Sequence, residues 1–89
     1  IYNFTQGANN TVVTPVADAL QQPWFAEAME LPADLIVVTA HIDPMSPPTL
    51  LQIYTAIRNV HPHLPLILLV GHRHMLVYEI WDQNCFVLE

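Results

Sequence analysis

The chain is 89 residues long, enough for one small domain, and it combines a 53% hydrophobic fraction with only 11% charged residues, under half the share a free-standing small domain normally carries. A net charge of -6, with Arg58 and Arg73 the only Lys or Arg, excludes neutralisation of a nucleic-acid backbone. The apolar runs fall short of the roughly 20 residues that span a bilayer, and the single cysteine, Cys85, forms no internal disulfide.

In chain order, Ile1 to Thr5 reads as the end of a strand, followed by a polar loop broken at Gly7. Two N-glycosylation triplets, Asn3-Phe4-Thr5 and Asn9-Asn10-Thr11, fall in this part. They point to a secretory or vacuolar route, although such triplets recur by chance. Pro15 to Glu30 carries helical periodicity in Val16, Leu20, Trp24 and Met29, and Pro23 should kink or split it. Asp34 to Ala40 is a short β-branched run without alternation, which predicts a strand buried on both faces.

A proline loop follows, and Pro48 to about Val60 reads as a helix carrying Leu51, Tyr54 and Ile57, with Leu50 and Ile53 nearby. Leu66 to Val70 is a second apolar strand. Met75 to Trp81 and Cys85 to Leu88 complete a hairpin turning at Asp82-Gln83-Asn84. The expected fold class is α/β: a right-handed βαβ crossover plus a C-terminal hairpin. Two strands buried on both faces call for more cover than two helical segments supply. With strand-like composition at both ends, this predicts a piece of something larger.

The histidines carry the chemistry. Loops that bind and react emerge at the carboxyl ends of parallel strands, which is where His41 follows the first central strand and His72 and His74 follow the second. In an extended segment, residues i and i+2 lie on one side about 6–7 Å apart, a spacing suited to serving two neighbouring metal ions. Gly71 is expected to let the chain turn sharply and to leave room for a ligand. Asp43 could orient His41 or shape the proline loop. His61 and His63 flank Pro62 at the opposite sheet edge and read as solvated loop residues, and Cys85 reads as a packed strand residue.

A strand ending in Ala40-His41, a helix, a strand and then Gly71-His72-Arg73-His74 resembles the C-terminal part of the calcineurin-like metallophosphoesterase domain. That family closes its metal-site motifs with a lone His, usually as Gly-His, and then Gly-His-x-His. The stretches "NFTQGANNTVVTPVADALQQPWFAEAM", "DLIVVTAHIDP" and "IYTAIRNVHPHLPLILLVGHRH" are similar to its fungal 5'-nucleotidase-like branch. The likeness covers nearly the whole chain.

The resemblance implies that residues 1–89 are the C-terminal fragment of a single domain, part of a β-sandwich with flanking helices. It also implies hydrolysis of phosphate esters by two-metal-activated water. His41 and His72 would ligate one metal and His74 the other, the ions being two divalent transition metals (Zn, Mn or Fe). The family's other ligand motifs, Asp-x-His, Gly-Asp and Gly-Asn-His, are absent from this sequence. The fragment alone is therefore expected to be inactive, its partners being the N-terminal part of the same domain and a phosphate-ester substrate, with no membrane or nucleic acid. No catalytic residue is assigned. Ala40 stands where the family prefers glycine and Arg73 where a small or polar residue is usual. Arg73 is a candidate substrate-phosphate contact, or a side chain that crowds the site. These departures favour an alternative, a degenerate non-catalytic metal-binding or protein-interaction module. A further alternative makes the histidines purely structural.

Overall fold

Proline placement sets the first boundary in the computed structural model, which describes residues 12–44 and 47–89. The strand expected over residues 1–5 and the triplets at Asn3 and Asn9 lie outside the described residues. Proline can begin a helix but cannot continue one, because it lacks the N–H that bonds back to the previous turn. Helix α1 (Val16–Ala19) accordingly follows Pro15, and α2 (Pro23–Glu30) starts on Pro23 itself. Strand β1 (Ile36–Ala40), helix α3 (Pro47–Val60) and strand β2 (Leu66–Val70) form the central unit. The hairpin of β3 (Tyr78–Asp82) and β4 (Cys85–Leu88) follows.

The four strands lie in the order β1-β2-β4-β3, with β1 parallel to β2, β2 parallel to β4, and β3 antiparallel to β4. The fold is the mixed α/β arrangement expected: a strand–helix–strand crossover with a C-terminal hairpin laid beside it. Its core is one-sided. Leu66, Leu68, Val70, Cys85 and Val87 meet Phe25 of α2 and Leu50 and Ile57 of α3, with Ile36, Val38, Ile53 and Tyr54 packed around them.

The expectation of strands buried on both faces is corrected. Side chains alternate along β1 and β2, and every second residue points away from the helices. Register aligns Val37, Ile67, Phe86 and Ile80 in one row and Thr39, Leu69, Leu88 and Tyr78 in the next. Val37, Leu69, Tyr78 and Ile80 on this second face are exposed. Seven of these eight side chains are apolar because the face is built to be covered, yet residues 12–44 and 47–89 do not fully cover it. A contiguous exposed apolar patch of this kind marks a packing surface.

Other details also differ from expectation. The buried stripe of α3 runs Leu50, Ile53, Tyr54, Ile57, the i, i+3, i+4, i+7 pattern of a core-facing helix. Leu51 is exposed. Strand β3 begins at Tyr78 and not at Met75, whose N–H donates to the Glu89 side chain. His61 is not a plain solvated residue: its Nε2 lies 2.7 Å from the Met29 carbonyl oxygen and ties the end of α3 to α2. Cys85 is fully buried as expected, and burial pushes its thiol up to about 11, so it is inert at neutral pH.

Candidate functional site

Parallel pairing brings the histidine loops together. Strands β1 and β2 run in register from Ile36 opposite Leu66 to Ala40 opposite Val70. The residues that leave the sheet next, His41 on one strand and Gly71-His72 on the other, therefore emerge side by side at the carboxyl edge. His41 Nε2 and His72 Nδ1 lie 3.3 Å apart, with ring centroids separated by 5.2 Å and the planes inclined at 48°. His74 and Glu89 line the same open cleft.

The 71–75 segment is not extended, so the simple i, i+2 picture does not describe His72 and His74. The left-handed residue is His74, with φ 59°, the one non-glycine residue of that kind among the described residues. Gly71 has no such φ, and a Cβ placed there would meet nothing within 4 Å. The chain does bend directly after the glycine, at His72 and Arg73, and again at Met75, but the left-handed conformation falls on His74, where an L-residue stays only when its surroundings hold it.

What holds it is a pair of carboxylates. Glu89 Oε1 accepts hydrogen bonds from the His72 N–H at 2.8 Å and the Arg73 N–H at 3.2 Å, and Oε2 accepts one from the Met75 N–H at 3.0 Å. The Met75 N–H is the largest influence keeping the Glu89 carboxyl below its ordinary pKa. Desolvation opposes it, the His72 and Arg73 N–H groups add to it, and the nearby Asp43 charge works weakly against it. From the other side, Arg73 Nε donates to both oxygens of Asp43, at 2.8 and 3.0 Å. This ion pair joins the loop after β2 to the loop after β1 and gives Asp43 a definite role: it engages Arg73. The pair is solvent-accessible, with the Arg73 side chain 44% exposed.

The donor set can be tested against a metal ion. Two imidazole nitrogens, each about 2.0–2.1 Å from a tetrahedral ion, lie roughly 3.3 Å from each other. The His41–His72 nitrogen pair has that separation, which is compatible with neighbouring ligands of one ion and equally with a hydrogen bond between the two rings. Among the described residues no group of three or more His, Cys, Asp or Glu side chains is placed to hold an ion. His74 lines the cleft without completing such a group.

The sequence reading missed Glu89 and the Arg73–Asp43 bond. Both partners lie far from the histidine loop in sequence, and a terminal glutamate after an apolar strand carries no local signal of its role.

No protein-family model matches the chain. An uncharacterized protein of Schizosaccharomyces pombe is 33% identical over 90 residues, covering 100% of this chain and 15% of that protein. A protein of Arthroderma benhamiae named as a secreted protein is 27% identical over 93 residues, covering 99% of this chain and 14% of its own length. Among solved structures, the crystal structure of 5'-nucleotidase from Candida albicans superposes with a TM-score of 0.84 at 28% identity, covering 98% of this chain and 16% of that one. The chain thus spans a small part of each protein it matches.

Proposed function

We propose that this chain, which is similar over 98% of its length to the crystal structure of a 5'-nucleotidase, supplies the C-terminal half-site of a metal-dependent phosphoesterase. The observation that carries the reading is the His41–His72 nitrogen pair, 3.3 Å apart at the joined ends of two parallel strands. In this reading His41 and His72 hold one divalent transition-metal ion (Zn, Mn or Fe) and His74 contributes to a second. Such ions supply Lewis-acid activation of water and of the phosphoryl group.

The chain's own residues prepare that site in three ways. Imidazole donors are presented at an open sheet edge that a phosphate ester can reach. The Asp43–Arg73 ion pair keeps the two histidine loops together. Arg73 itself stands at the rim, where a guanidinium can meet a phosphate oxygen. The remaining ligands, and the cover for the second sheet face, come from the N-terminal part of the same domain, so residues 1–89 alone are inactive. A secretory route for the parent protein is supported by the relative named as secreted and by the triplets at Asn3 and Asn9. Among the described residues no helix is long and apolar enough to cross a membrane.

The test is hydrolysis of p-nitrophenyl phosphate by the full-length protein before and after chelation. The expected result is turnover that chelation abolishes and one of Zn, Mn or Fe restores, with no turnover from residues 1–89 alone. Turnover indifferent to chelation, or none in the metal-replete protein, overturns the reading.

A further inference from the structure

We propose that Glu89 is the positioning residue of the histidine loop, clamping the 71–75 backbone so that the His72 and His74 rings are held ready for metal. The proposal rests on the half-site reading for its consequence, though not for its geometry. Strand pairing delivers Glu89 to the loop. Leu69 pairs with Leu88, so Glu89 follows β4 alongside the end of β2 and the start of the histidine loop. Its main chain is fixed by reciprocal hydrogen bonds with Val77, at 2.9 and 3.2 Å. From that anchored position its carboxylate receives the N–H groups of His72, Arg73 and Met75.

Those donors make a small anion-binding concavity of closely spaced backbone N–H groups, the kind that usually cradles an external anion. Here the anion is built into the chain. The three bonds bracket His74, the residue at φ 59°, with donors on both sides of it. They therefore fix the backbone on which both histidines stand, and with it the 3.3 Å approach of His72 to His41. Glu89 acts through the loop backbone and is not offered as a metal ligand, since both carboxylate oxygens already accept hydrogen bonds.

The experiment compares full-length wild type with Glu89→Ala, Glu89→Gln and, as a packing control, Leu88→Ala. Amide hydrogen exchange across residues 71–75 is measured in chelator-stripped protein, zinc affinity by competition with a chromophoric chelator, and the thermal midpoint for each variant. The expected result for Glu89→Ala is lost protection at the 72, 73 and 75 amides and zinc affinity weaker by about 10–100-fold, the range for groups that orient metal ligands. Its midpoint should fall no further than that of Leu88→Ala, which should keep zinc affinity. Glu89→Gln should be intermediate, since its amide keeps one acceptor oxygen.

Unchanged exchange and unchanged zinc affinity in Glu89→Ala overturn the proposal. So does an affinity loss that Leu88→Ala reproduces at equal destabilisation. If the wild type takes up none of Zn, Mn and Fe, the half-site reading fails by itself. The exchange data then decide the clamp alone: lost protection upholds it and retained protection ends it.

Discussion

Replacing His72 with alanine in the full-length protein is expected to lower the phosphate-ester hydrolysis proposed for it by more than about 100-fold while leaving the fold intact. His72 supplies the Nδ1 that faces His41 Nε2 at 3.3 Å, so the substitution removes one of the two imidazoles that meet there. Residues that merely orient metal ligands cost about 10–100-fold when removed, and loss of a ligand should exceed that range. The fold should survive because the His72 side chain is exposed and contributes nothing to the apolar core. Exposed substitutions usually stay within about 0.5 kcal/mol. Steady-state kinetics and a melting curve on the same preparation check both halves. Full activity in the variant would exclude His72 as a ligand.

The second large effect lies at the opposite edge of the sheet. Removing Asp82 is expected to destabilise the protein by about 3 kcal/mol, the lower end of the cost of breaking a buried ion pair, because Asp82 itself is 30% exposed. A bulge in β3 between Ile80 and Asp82 lets two successive residues meet α3. Trp81 packs edge-on against Tyr54, with centroids 5.4 Å apart, and Asp82 accepts from Tyr54 Oη at 2.6 Å and Arg58 Nε at 2.9 Å.

Arg58, only 10% exposed, also donates to the carbonyl oxygens of His61, Leu64 and Asn84. One guanidinium thus ties the end of α3 to the start of β2 and to the β3–β4 turn. Without Asp82 its charge would remain, largely buried and without that carboxylate.

The same cluster sets a pH dependence. Burial raises the Asp82 carboxyl, but hydrogen bonds from Arg58, Tyr54 and the Asn84 N–H, with the Arg58 charge, outweigh it and hold the group at about 2. A carboxyl lowered on folding stabilises the native state above its unfolded value near 3.9, and that contribution fades as pH falls toward about 2. The lowering corresponds to about 2 kcal/mol. Urea unfolding of wild type and Asp82→Asn should therefore differ by about that much at pH 6 and converge near pH 2. A difference that persists at pH 2 would show that the carboxylate charge is not its source.

The strand–helix–strand core was legible because the β-branched run over residues 36–40 and the apolar run over 66–70 leave few alternatives, and because Pro23 can start α2 but not sit within a continuous helix. On α3, Tyr54 and Ile57 face the core as expected, and only Leu51 falls on the wrong side. Leu50 and Leu51 are both leucines, and only tertiary contacts decide which one faces the sheet. Burial on both strand faces was overcalled because an apolar run reports that a face is meant to be covered, not that the cover lies nearby.

At the candidate site, Gly71-His72-Arg73-His74 announced a turn at a strand end, and sheet register shows why His41 and His72 meet. The conformation of that turn was not legible. It depends on a left-handed histidine, a conformation histidine adopts more often than most side chains but which that preference assigns to neither His72 nor His74, and on carboxylates at Asp43 and Glu89 that reach it across 30 and 14–17 positions of sequence.

The measurement that bears most directly on the half-site reading is elemental analysis of the full-length protein, purified without chelator or affinity tag, beside its His72→Ala variant. About two transition-metal ions per chain in the wild type, with fewer in the variant, is the result expected of a two-metal site. No transition metal in the wild type, or the same content in both proteins, would contradict it.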